Sequence, residues 1–151
     1  FERWSHDILE DKKVSIRYFD NLVGMILGYL PQSCDLADKC SYNLVVEANG
    51  DVYPCDFYVL DAYKLGNLHQ DSLTSIYHHP QAIAFIESSK VLPYECMDCS
   101  FYQLCKGGCR RYRESTINTN QFCESYYQFL SKNIKMLEHI AQTFLSNQQK
   151  M

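Results

Sequence analysis

Apolar and polar positions along the 151-residue chain follow two different periods. Residues 1–11 (FERWSHDILED) read as the end of an amphipathic helix. Val14 to Phe19 (VSIRYF) alternates, with Val14, Ile16 and Tyr18 against polar neighbours, and predicts a short strand. Asn21 to Gly28 predicts one or two helical turns, ended by Pro31. Helix, strand, helix is what the tail of a parallel α/β unit leaves behind. The pattern changes after Ser33. Residues 42–48 (YNLVVEA) and 51–59 (DVYPCDFYV) are strand-like runs around Asn49-Gly50. That dipeptide predicts a hairpin with a type I′ turn, in which both central residues take positive φ. Pro54 donates no N–H, so the second run is an edge strand or ends there.

Further on, Ser72 caps a short helix (LTSIYHH), and Pro80 suits the first turn of the next (PQAIAFIESS). Gly66-Asn67 reads as a turn, and residues 93–120 as loops. Phe122, Tyr126, Phe129, Leu130, Ile134, Leu137, Ile140, Ala141 and Phe144 then recur at three- and four-residue steps. They predict a final helix of about 25 residues. The fold class expected is α+β: a small cysteine-rich domain with a β-hairpin, short helices, metal-binding loops and a long C-terminal helix.

Composition narrows the function classes. Hydrophobic residues make up 46% and charged residues 21%, which excludes global disorder. A net charge of -4 supplies no basic field for phosphates, so no nucleic-acid partner is expected. The basic run from Lys106 to Arg113 reads as a solvated or substrate-facing patch. No apolar run approaches the roughly 18 residues of a membrane span, and the N-terminus lacks the pattern of a leader peptide. A cytoplasmic protein is expected, with Phe1 starting a segment of a longer chain. His6, His69 and His139 have no partner pattern, and the adjacent His78 and His79 read as surface residues.

Eight cysteines carry the chemistry. Cys40 and Cys55 flank the hairpin as C-x9-G-x4-C, with Gly50 central. Cys96, Cys99, Cys105 and Cys109 form C-x2-C-x5-C-x3-C, and Cys123 follows near the start of the last helix. Cys34 stands ahead of both groups. Thiolates are soft ligands suited to iron–sulfur clusters or zinc. A C-x2-C loop lets two sulfurs converge, and nearby glycines let backbone N–H groups approach sulfur. In two-cluster ferredoxins the fourth cysteine of such a run serves the other cluster, and Cys109 can cross over in the same way. From spacing alone, iron–sulfur clusters, structural zinc and disulfides all remain open.

The ordered pattern resembles the SPASM domain, the C-terminal extension of radical S-adenosylmethionine enzymes that modify peptides and proteins. Gly50 to Asn67 (GDVYPCDFYVLDAYKLGN), Cys105 to Arg111 (CKGGCRR) and the early Cys34 are most similar to anaerobic sulfatase-maturating enzymes. The resemblance implies two [4Fe–4S] clusters. Cys34, Cys40, Cys55 and Cys109 would hold the first, and Cys96, Cys99, Cys105 and Cys123 the second. It implies Asp56, next to Cys55, as the general base of a reaction oxidising a sulfatase active-site Cys or Ser to formylglycine. Residues 1–33 would be the last part of the catalytic α/β barrel, and residues 34–151 the auxiliary-cluster domain with its helix. S-adenosylmethionine and a third [4Fe–4S] cluster need a C-x3-C-x2-C motif, which is absent here. The segment alone is therefore expected to be inactive. The implied partners are an unfolded sulfatase precursor peptide and a reductant such as flavodoxin or ferredoxin. The alternatives are another peptide-modifying maturase of the same type, or a zinc-stabilised interaction module. Air-exposed protein can instead hold zinc, disulfides or nothing.

Overall fold

The computed structural model describes residues 1–113 and 118–148. Two compact units emerge. One combines residues 1–37 with 93–151, and the other comprises residues 38–92.

In the first unit, α1 (Glu2–Leu9) and α2 (Arg17–Ile26) pack against α7 (Cys123–Gln148). The expected strand at 14–19 is not formed. Val14 and Ile16 stay exposed, and Ile16 only supplies the extended residue ahead of α2. An isolated alternating run has nothing to pair with. As a helix, the same stretch puts Phe19, Leu22 and Val23 on one face. Phe19 stacks on Phe129 of α7, with ring centroids 5.7 Å apart and planes inclined by 10°. Helix α2 ends at Gly28, three residues before Pro31. The Gly28 N–H donates to Met25 O at 3.0 Å and the Tyr29 N–H to Gly24 O at 2.9 Å, with Gly28 at φ 86°. This is the glycine-terminated Schellman ending, which consumes the last helix carbonyls without a proline.

Of the predicted stripe on α7, Leu130, Leu137, Ile140 and Ala141 are buried, together with Trp4, Leu22, Val23, Leu36 and Leu104. Phe122 and Phe144, at the two ends, are exposed. Each fully buried leucine or isoleucine contributes about 1.5–3 kcal/mol. The segment expected to be loop contains short helices α5 (Tyr94–Met97) and α6 (Tyr102–Cys105), and a 3-10 turn at Arg110–Arg113. Residues 114–117 of that expectation lie outside the described residues.

In the second unit, β1 (Val45–Val46), β2 (Asp51–Tyr53) and β3 (Gly66–Asn67) form an antiparallel sheet in the order β1-β2-β3. Val45 faces Tyr53, and Asp51 faces Asn67. The hairpin is present but shorter than expected, and β2 is the central strand. It ends at Tyr53, so Pro54 interrupts no ladder. The turn also differs from type I′. The Gly50 N–H donates to Glu47 O and the Glu47 N–H to Asp51 O, both at 2.9 Å, and only Gly50 has positive φ. This is the three-residue turn with glycine at the bulge. Gly66-Asn67 is a strand and not a turn. A Cβ on Gly66 would meet Asp71 Oδ2 at 2.8 Å and Ile76 Cγ1 at 3.0 Å, so glycine here permits close packing. Helices α3 (Leu73–Tyr77) and α4 (Pro80–Ser89) follow. As expected, Ser72 Oγ accepts from the Ser75 N–H at 3.1 Å, and Pro80 opens α4. His79 turns out to be the cap of α4, its Nδ1 accepting from the Gln81 N–H at 3.2 Å. Val52, Leu65, Ile76 and Ala82 form the core, and Tyr58 packs edge-on against Tyr63 and Phe85. Among the described residues no helix is long and apolar enough to cross a membrane.

Candidate metal centres

In the first unit, Cys96, Cys99, Cys105 and Cys123 line a single cavity of about 400 Å³, with Gly107 and Thr119 in its wall. Each sulfur arrives on a different local device. Cys96 sits within α5, and the Cys99 N–H donates back to Cys96 O at 3.3 Å, closing the C-x2-C turn. Cys105 ends α6, and Cys123 is the first residue of α7. No three of these four sulfurs lie within 4.8 Å of one another among the described residues. A single tetrahedral zinc ion with Zn–S near 2.3 Å would draw them to roughly 3.8 Å. As they stand, the sulfurs are spread wider than one bound zinc ion would hold them.

The electrostatics agree with a shared site. Burial pushes the Cys96 thiol up, and Cys123 and Cys99 push it further. Burial does the same to Cys105, with Cys123, Cys96 and Cys99 adding to it. Burial and then Cys99 raise Cys123. Four thiolates crowded into such a space repel one another, and a bound cationic centre relieves that repulsion while displacing the protons. Two groups already act in the opposite direction. A backbone hydrogen bond from Gly107 favours the Cys105 thiolate, and the Arg113 charge favours that of Cys96.

The turn after Cys105 is built for close approach. Lys106, Gly107 and Gly108 have φ of 52°, 78° and 67°, three consecutive left-handed residues. The basic run is not uniformly solvated, as its composition suggests. Arg113 is 5% exposed, and Lys106 Nζ lies 5.0 Å from the Tyr102 ring centre.

The other cysteines are distributed between the units: Cys34 and Cys109 belong to the first, and Cys40 and Cys55 to the second. None of the eight is in a disulfide among the described residues. The Cys40 N–H donates to Ser89 Oγ at 2.8 Å. Ser89, 1% exposed at the end of α4, in turn donates to Ile86 O. Asp56 is exposed, and its Oδ1 accepts from Cys55 Sγ at 3.2 Å and from the Phe57 N–H at 3.1 Å.

The hairpin leading to Cys55 is braced by Asp51. Its carboxylate accepts from Lys64 Nζ at 2.5 Å, Asn67 Nδ2 at 2.8 Å and Asn49 Nδ2 at 3.0 Å. Ser89 and the Asp51 brace were invisible to motif reading, because each acts through a partner distant in sequence. The one close grouping of potential ligand atoms among the described residues, His6, Asp7 and Glu10, is a helix-surface ion-pair group that Lys12 joins.

Residues 34–100 match the SPASM family, an iron–sulfur cluster-binding domain. Through this segment the chain is similar to that family. Over nearly its whole length it is also similar to anaerobic sulfatase-maturating enzymes. A cysteine-type enzyme of Clostridium novyi (strain NT) is 41% identical over 152 residues, which cover 98% of this chain and 41% of that protein. A serine-type enzyme of Bacteroides thetaiotaomicron is 30% identical over 155 residues, covering 98% of this chain and 37% of that protein. Among solved structures, native anSMEcpe with bound AdoMet and Cp18Cys peptide superposes with a TM-score of 0.89 at 38% identity. The match covers 95% of this chain and 41% of that one. The chain thus spans about two fifths of the length of the relatives it matches.

Proposed function

We propose that this chain is the auxiliary-cluster part of a radical S-adenosylmethionine enzyme that oxidises a sulfatase cysteine to formylglycine. The cavity lined by four cysteines is the observation that carries it, since the matched family binds iron–sulfur clusters. Identity is higher to the cysteine-type relative than to the serine-type one, at 41% against 30%, which favours a cysteine target. Cys96, Cys99, Cys105 and Cys123 are the ligands of one [4Fe–4S] cluster. Cys34, Cys40, Cys55 and Cys109 are assigned to the other on their sequence pattern alone. When bound, the clusters supply one-electron acceptors.

The remaining chemistry falls to Asp56. Oxidising a thiol-bearing carbon to a carbonyl-level product releases the thiol proton, and an exposed carboxylate can take it. The Phe57 N–H holds that carboxylate in place. Residues 1–33 are read as the end of the catalytic barrel. S-adenosylmethionine, its own cluster and the C-x3-C-x2-C motif belong to the rest of the protein, so the chain is inactive by itself. The substrate is an unfolded sulfatase precursor peptide, the reductant a flavodoxin or ferredoxin, and the location the cytoplasm.

Anaerobic reconstitution followed by iron and sulfide counting tests the cluster assignment. About eight of each per chain are expected from two four-iron cubes. Stoichiometric zinc without iron uptake would sink it and support a zinc-stabilised module instead. In the whole enzyme, Asp56→Asn is expected to abolish formylglycine while S-adenosylmethionine cleavage continues. Unchanged turnover would remove Asp56 from the base role.

A further inference from the structure

We propose that Asn120 is the positioning residue of the Cys96–Cys99–Cys105–Cys123 site, stapling the loop that delivers Cys123 to the glycine turn that follows Cys105. The inference rests on the reading of that site as a metal centre and goes beyond its ligands. Asn120 is 4% exposed, although its amide is strongly polar. Its Nδ2 donates to Gly107 O at 3.1 Å, and its Oδ1 accepts from the Phe122 N–H at 2.8 Å. Its own carbonyl accepts from the Cys123 N–H at 2.9 Å. One side chain therefore grips the turn after Cys105, and the same residue fixes the backbone of Cys123. The fit is tight. A Cβ on Gly108 would lie 2.1 Å from Asn120 Nδ2, so the glycine makes room for the amide. An uncharged amide is the suitable staple beside anionic sulfur, because it both donates and accepts without adding charge. With Cys105 and Cys123 preset in this way, less ordering remains to be done when metal enters.

Anaerobic Co²⁺ titration of the chain with Cys40 and Cys55 replaced by serine reads this directly, through the thiolate-to-cobalt absorption. Asn120→Ala is expected to weaken cobalt binding at least tenfold while the helical circular dichroism of the metal-free protein is unchanged. Asn120→Asp keeps the acceptor for Phe122 but loses the donor to Gly107. It also turns a buried carboxylate toward Gly107 O, so it should bind cobalt no better than the alanine variant, and it gives a second reading if that variant misfolds. Gly108→Ala should weaken binding in the wild type and do so less in Asn120→Ala, where the clash partner is gone and only the strain of the positive φ remains. Wild-type affinity in both Asn120 variants would overturn the staple and leave the cluster assignment standing. A wild-type chain that shows no thiolate–cobalt band and takes up no iron would overturn both.

Discussion

The two units hold their cysteines by different means. In the first, Cys105 and Cys123 sit at the ends of helices whose apolar faces are locked into one core, with Leu104 beside Cys105 and Leu130 and Leu137 further along α7. In the second, Cys40 and Cys55 flank strands of only two or three residues, and hydrogen bonds add to a smaller core around Val52: Ser89 under Cys40, and Asp51 with Lys64 and Asn67 behind the hairpin. Packing resists small displacements in every direction, whereas a hydrogen bond fixes one direction and, where Asp51 is the acceptor, depends on protonation. The first arrangement presents a ready cavity. The second leaves Asp56 exposed beside Cys55.

Four changes sharpen or break this contrast. The largest effect is expected from Cys105→Ala in the reconstituted protein, which should lose about four of about eight irons per chain. Loss of all the iron would show that the two cysteine sets are not independent. Leu137→Ala, in the middle of α7, should cost about 2–5 kcal/mol in urea unfolding and speed iron release from the first unit. Equal stability would mean that the core does not support the site.

Ser89→Ala strands the Cys40 N–H and should cost about 1–3 kcal/mol. Faster alkylation of Cys40, with Cys55 unchanged, is its local signature in metal-free protein. The smallest effect concerns pH. Hydrogen bonds from Lys64, then Asn67, hold the Asp51 carboxyl below the usual carboxylate range. A depressed folded-state value means that the brace is complete above the unfolded carboxylate range near 3.9 and is lost as pH falls through the folded value. Asp51→Asn should flatten that part of the acid titration of the hairpin, followed through the Val52 and Leu65 amides by hydrogen exchange.

The sequence made much of this legible, and where it failed there is a physical cause. Long periodic signals survived: α7, the Ser72 cap and the Pro80 start all appear where expected, because each rests on a local rule. Spacing suggested that Cys109 leaves Cys96, Cys99 and Cys105 for the other site, whereas Cys123 as their fourth partner came from family resemblance, and spacing left three chemistries open. Failures occurred where tertiary partners decide. VSIRYF alternates like a strand, yet Phe19, Leu22 and Val23 gain more by facing α7 as a helix. Gly66-Asn67 has turn composition, yet it pairs with β2 because Asp71 and Ile76 require a residue without a side chain. Arg113 belongs to a basic run, yet it is buried while the other basic residues of the run are not. Asn120 carries no motif at all.

The run of three left-handed residues at 106–108 has a consequence for how this loop can change over time. A chain of L-residues resists that handedness by roughly 1–2 kcal/mol at each position with a Cβ. Two of the three positions avoid the cost by being glycine, and Lys106 bears it. The loop is therefore asymmetric toward drift. Lys106→Gly moves downhill in conformational terms, while any side chain at 107 or 108 moves uphill, and at 108 it also collides with Asn120. A lineage can exchange the lysine freely and keep the bend, but it cannot lose either glycine without redrawing the path between Cys105 and Cys109.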